Sequence, residues 1–245
     1  MPRIDGRSPD ALRPIKLTRG WAKHAEGSCL VEFGETKVLC TASVENTVPG
    51  WMRNSGNGWV TAEYGMLPRA TGSRNQRDAS RNRPDGRTIE IQRLIGRSLR
   101  GAINMRALGE RSVVVDCDVL QADGGTRTAA ITGAWVALME AFCRMRAEGA
   151  IRTLPLQNNI AAISVGIVGK QELLDLAYEE DSRAAVDMNV VMTEGGRLIE
   201  VQAGGEGQTF TRAELGRLLE LAKIGIDQII PLQNEAVRDI LKETS

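Results

Sequence analysis

The chain has 245 residues, 42% of them apolar, with 31 basic and 31 acidic side chains and a formal net charge of zero. That length supports a sizeable core, and the composition excludes wholesale disorder. No apolar run approaches the roughly 20 residues that a membrane span needs, and the charged opening Met1-Pro2-Arg3-Ile4-Asp5-Gly6-Arg7 lacks the apolar core of a signal peptide. A soluble, cytoplasmic protein without a membrane partner is expected. Cys29, Cys40, Cys117 and Cys143 show no CxxC spacing and read as buried free thiols. The single histidine, His24, argues against a Ser-His-Asp triad or a histidine-rich zinc site and reads as a surface side chain.

In chain order, Ser28–Phe33 and Thr36–Val44 predict two strands joined by a hairpin at Gly34-Glu35, and Gly58–Tyr64 predicts a third. Residues 69–87 carry no apolar period and predict a long basic loop. Helical period returns over Thr88–Asn104, with Ile91, Leu94, Ile95 and Leu99 on one face. A buried strand follows over Ser112–Gln121. A glycine turn then leads to a helix from about Thr128 to Ala147, with Ile131, Trp135, Leu138, Phe142 and Met145 on one stripe. Strands are predicted at Ile160–Val168, Val186–Met192 and Leu198–Gln202. The last helix opens on the capping box Thr211-Arg212-Ala213-Glu214, with a break expected near Pro231. This order predicts an α+β fold, two sheet-and-helix units without a linker, forming a single compact domain over residues 1–245.

Charge is unevenly spread. Eleven arginines and four acids lie between Arg69 and Arg111, so that stretch is +7 and the remainder −7. The chain holds 25 arginines against 6 lysines, and guanidinium groups grip phosphate through paired, fixed donors. A local positive field on an otherwise acidic chain suits a polyanion.

Two segments carry chemistry. Asp123-Gly124-Gly125-Thr126-Arg127-Thr128 joins a strand end to a helix start, where unpaired first-turn amides, threonine hydroxyls and one arginine can cradle an oxyanion. A plain helix cap fits the same residues. The acidic run that includes Asp181 and Asp187 offers two carboxylates that can hold Mg²⁺ or a proton, although a solvated acidic face fits it too.

Long stretches resemble the ribonuclease PH family along nearly the whole chain. They include Leu12-Arg13-Pro14-Ile15, Val38 to Val44, Gly58 to Arg69, Gly86 to Arg97, Asp116 to Thr128, and Glu180-Asp181-Ser182 with Val186 to Val191. The resemblance implies two βαβ-type halves with left-handed crossovers and assembly into a homohexamer, a trimer of dimers. It implies phosphorolytic 3′→5′ trimming of RNA, especially tRNA 3′ ends, with inorganic phosphate bound by Arg87, Gly125, Thr126 and Arg127. Asp181 and Asp187 match the family's active-site aspartates, linked to Mg²⁺ and to protonation of the leaving oxygen. We expect Arg69, Arg74, Arg77, Arg81 and Arg83 to hold RNA. Arg83-Pro84-Asp85 and Ala203-Gly204-Gly205 depart from the family pattern at positions expected to be loops. A non-catalytic RNA-binding ring subunit and a hydrolase acting on free nucleotides are the rival classes.

Overall fold

The computed structural model describes residues 3–77 and 85–243. The first half builds a five-stranded sheet from β1 (Ile15–Arg19), β2 (Gly27–Phe33), β3 (Thr36–Glu45), β4 (Trp59–Met66) and β5 (Ser112–Gln121), in the order β1-β2-β3-β5-β4. β2 and β3 close on a two-residue hairpin, with Phe33 opposite Thr36. β4 and β5 are parallel, joined through α1 (Gly86–Arg100) and the short α2 (Met105–Leu108), so this half contains a βαβ unit.

After α3 (Thr126–Ala147), the second sheet comprises β6 (Ile160–Val168), β7 (Gln171–Leu174), β8 (Ala184–Thr193) and β9 (Leu198–Gly205). Its order is β7-β6-β8-β9, and its pairs are antiparallel. The one-turn α4 (Tyr178–Asp181) bridges β7 and β8, and α5 (Arg212–Glu243) ends the described chain.

α3 is the axis of the molecule. Seventeen of its 22 residues are buried, so it is apolar around its whole circumference and not along one stripe as expected. A helix of that kind belongs inside a core, and α3 packs against β2 and β3 on one side and β6 on the other. Trp135, Phe142, Ile131 and Leu138 are wholly buried there, and one apolar cluster spans both sheets. All four cysteines are buried free thiols, and burial pushes Cys29 up to about 12, while His24 is exposed.

Three expectations need correction. α1 starts at Gly86 and stops at Arg100, because Ile103 leaves the helix to bridge Leu156. α5 runs through Pro231 without a break. That proline is solvent-exposed, so the carbonyl it leaves without an amide partner can be hydrated. Ala203-Gly204-Gly205 is no loop: it is the end of β9, and Gly204 stands opposite Asp187. The capping box does form, with the Glu214 amide donating to Thr211 Oγ1 at 3.2 Å and the Thr211 amide to Glu214 Oε2 at 2.6 Å.

Candidate active site

Between β5 and α3 the backbone turns at Gly124 (φ +74°) and Gly125 (φ +64°), a left-handed pair that side chains disfavour. A Cβ on Gly124 would also collide with the Leu176 carbonyl and lie 2.9 Å from the Tyr178 amide. The turn's carbonyls are drawn into the protein. Thr36 Oγ1 donates to Gly124 O at 2.7 Å and accepts from the Asp123 amide at 2.8 Å. Arg13 donates to Asp123 O. With the carbonyl edge tied back, the amide edge is left towards the cavity.

α3 begins two residues earlier than expected, because Gly125 itself is the N-cap and its carbonyl accepts from the Ala129 amide at 2.9 Å. The amides of Thr126, Arg127 and Thr128 therefore precede the helical ladder, where an anion is favoured. Of the two threonine hydroxyls expected in the cradle, Thr128 Oγ1 turns inward and donates to Gly125 O at 2.9 Å. Thr126 Oγ1 shares a 2.8 Å hydrogen bond with the buried Tyr64 hydroxyl.

The carboxylates come from the other half. Asp187 lies on β8, two residues from Asn189, so both project from the same face. Their cross-strand neighbours are Gly166 and Ser164 on β6, and Gly204 and Gln202 on β9. Gly204 leaves open space on the β9 flank of Asp187, whereas the space at Gly166 is filled by the Leu176 side chain. Asp181, expected in a connection, is the last residue of α4.

Burial raises the pKa of both aspartates. Asp187 is pushed up to about 6, first by burial and then by the charge of Asp181, against the opposing pull of Arg127 and Arg87. For Asp181, burial outweighs the lowering by Arg127, Arg87 and Arg13. Two carboxylates from separate elements thus share one electrostatic environment with two arginines.

Arg127 is held by Gln202 Oε1 at 3.2 Å and lies 3.8 Å from Glu90 of α1. Arg87, the second residue of α1, is exposed. Arg87, Gly125, Thr126, Arg127, Asp181 and Asp187 all line one cavity of about 600 Å³. Arg69, Arg74 and Arg77 are exposed and do not line it, although Gly72, Asn75 and Gln76 between them do. Arg81 and Arg83 lie outside the described residues.

A set of contacts behind the cavity was not anticipated. The buried Arg13 guanidinium reaches Asp175 Oδ1 at 2.7 Å and Oδ2 at 3.0 Å while also holding the Asp123 carbonyl. Arg3 makes a bidentate pair with Glu180 at 2.8 and 2.7 Å. Glu180 Oε2 in turn accepts from the Ala177 amide at 3.1 Å. These pairs span more than 160 residues, so spacing does not announce them. Asn189, which also lines the cavity, was not singled out either, although its alternation with Asp187 was a signal that could have found it.

The fold and cavity define an α+β protein in which the first turn of a buried helix and two carboxylates line one cavity. The 3′ exoribonuclease family models match residues 11–143 as domain 1 and 158–225 as domain 2. The chain belongs to that family, the RNase PH family. Among solved structures, it is similar to rice (Oryza sativa) Rrp46, with 20% identity, a TM-score of 0.76 and coverage of 98% of this chain and 100% of that one. A chain of the Archaeoglobus fulgidus exosome with RNA bound to the active site matches at 23% identity and TM-score 0.77, covering 99% of this chain and 92% of its own. A chain of an archaeal exosome core matches at 22% and 0.74, covering 96% and 90%. These likenesses concern the fold.

Proposed function

We propose that this chain is a phosphate-dependent 3′→5′ exoribonuclease that removes nucleotides from RNA 3′ ends, those of tRNA precursors among them, as nucleoside diphosphates. The observation that carries this reading is the meeting, in one cavity, of Gly125-Thr126-Arg127 and Arg87 with Asp181 and Asp187. A phosphate oxygen attacks the last phosphorus of the RNA, and the bond from that phosphorus to the preceding 3′ oxygen breaks. The departing oxygen takes a proton. The reverse reaction adds a nucleotide and releases phosphate.

Attack of one anion on another is opposed by about 4 kcal/mol per pair of unit charges about 4 Å apart at an effective dielectric near 20. The two arginines and the first-turn amides of α3 are placed to offset that repulsion and to fix the approach. Asp187, pushed up to about 6, is a site where a proton can reside near neutral pH. The donor set also fits Mg²⁺, held by Asp181 and Asp187. That ion keeps several waters, takes phosphate oxygens, and needs only one or two carboxylates; among the described residues no group of three or more His, Cys, Asp or Glu side chains is gathered. When bound it would neutralise the carboxylate pair and the substrate's developing charge.

In our reading the protein is cytoplasmic and works as a homohexamer, a trimer of dimers; no described helix is long and apolar enough to cross a membrane. Exposed Leu198 and Val201 on the edge strand β9 support assembly. The decisive assay incubates labelled RNA with and without inorganic phosphate and identifies the released nucleotide. Phosphate-dependent release of nucleoside 5′-diphosphates is expected. Monophosphate release at an undiminished rate without phosphate would overturn the proposal, and no release at all would favour a non-catalytic RNA-binding subunit.

A further inference from the structure

α4 carries two cavity-lining residues, Tyr178 at its start and Asp181 at its end. Their three-residue spacing puts them on neighbouring parts of one helical face. Tyr178 is 61% exposed. The other aromatic in the lining, Tyr64, is buried and engaged with Thr126. Tyr178 is thus the one lining aromatic with an open ring, and among the described residues it packs on no other aromatic.

Its pedestal is well fixed. The Tyr178 amide donates to Asp123 Oδ1 at 3.2 Å, and the Gly124 backbone packs directly against Leu176–Tyr178. Two residues further, Glu180 is buried and clamped by Arg3. An exposed ring on a rigid support, beside an oxyanion cradle, has the makings of a stacking surface. Aromatic rings receive bases without regard to sequence because every base presents a π-face. A trimming enzyme needs that tolerance.

We propose that Tyr178 is the stacking platform for the base of the 3′-terminal RNA nucleotide, seating its phosphodiester between Asp181 and the turn at Gly125–Arg127. This rests on the phosphorolytic reading above. The test compares wild type with Tyr178→Ala and Tyr178→Trp, using RNA that ends in an ordinary nucleotide or in one lacking its base. Equilibrium RNA binding, Michaelis constants for RNA and phosphate, solution mass and thermal stability are measured for each.

Tyr178→Ala is expected to weaken RNA binding and raise the Michaelis constant for RNA by about fivefold to 150-fold, the range of one missing base–aromatic stack. The constant for phosphate should stay near wild type, and Tyr178→Trp should bind RNA as wild type does. Removing the terminal base should cost wild type a similar factor and cost Tyr178→Ala little more. Unchanged RNA affinity in Tyr178→Ala, or a full penalty for the missing base in that variant, overturns the assignment. So does a change of solution mass that accounts for the whole affinity loss. The binding arm decides the stacking role even if phosphate dependence fails, and phosphate dependence in wild type can stand even if the stacking role falls.

Discussion

Arg13 and Asp175 lie 162 positions apart in the chain and meet in the interior, with Nη2 of the arginine 2.7 Å from Oδ1 of the aspartate. Asp175 is fully buried, in a left-handed backbone conformation at φ +55°. Burial alone would lower the pKa of Arg13, and the hydrogen bond and charge of Asp175 reverse this. The pair fastens the glycine turn, which presents the cradle, to the segment leading into α4, which presents Asp181.

Breaking that pair from one side should be costly. Arg13→Met leaves the Asp175 carboxylate buried with the backbone amide of residue 13 at 2.8 Å and one more distant cation, Arg7, at 3.5 Å. A loss of about 3–5 kcal/mol is expected in urea unfolding. Arg13→Met combined with Asp175→Leu should lose less than the sum of the two single changes. Strict additivity would mean that the pair does not act as a unit.

Asp187 should make stability fall as pH rises. Its pKa is about 6 in the folded chain against an ordinary value of 3.8. Below the lower value both states hold the proton; between the two only the folded state does. The Asp187 contribution to stability is therefore greatest at acid pH and declines up to about pH 6, by up to about 3 kcal/mol at 1.36 kcal/mol per unit. Asp187→Asn should flatten that slope and melt higher than wild type near pH 7 while losing activity. Melting curves from pH 4 to 7 give the answer, and an unaltered slope in the variant would exclude Asp187 as its source.

Arg127→Ala should impair turnover far more than RNA binding. Loss of one preorganised transition-state donor costs about 2.7–4 kcal/mol, roughly a hundred- to a thousandfold in rate. Single-turnover rates at saturating phosphate, set beside equilibrium RNA binding, check this. A wild-type rate would remove Arg127 from the reaction.

The arginine segment should act on binding. Arg74 and Arg77 are exposed beside residues that line the cavity. Replacing Arg74, Arg77 and Arg81 together with alanine should flatten the salt dependence of RNA affinity, by about 0.7 in log–log slope for each RNA phosphate no longer neutralised. Titrations at several salt concentrations, with solution mass measured in parallel, separate this from a role in assembly. An unchanged slope in a variant that leaves the oligomer would assign the segment to subunit association.

Most strands were legible because β-rich runs bounded by turn residues mark them directly, as in Ile160–Val168. β1 and β7 escaped because they are short strands at sheet edges, half-exposed in the case of β1, and are defined by pairing with β2 and β6. The glycine turn announced itself locally, whereas its fastening to Asp175 depends on tertiary folding. The start of α3 was misplaced because a left-handed Gly125 serves as its cap, a conformation that glycine permits without requiring. The same limit applies to Ala203-Gly204-Gly205: two glycines suggest a loop, and only pairing with β8 makes the segment a strand.

Because α3 lies between the two sheets and its first turn faces carboxylates from the second, the cradle exists only when both halves are in place. Under the proposed function inorganic phosphate is then a ligand of the assembled fold as well as a reactant. At a hundred times its dissociation constant, a ligand specific to the native state adds about 2.7 kcal/mol of stability. Depletion of phosphate would thus withdraw a reactant and a folding ligand together, linking the lifetime of the protein to the supply of the small anion it consumes.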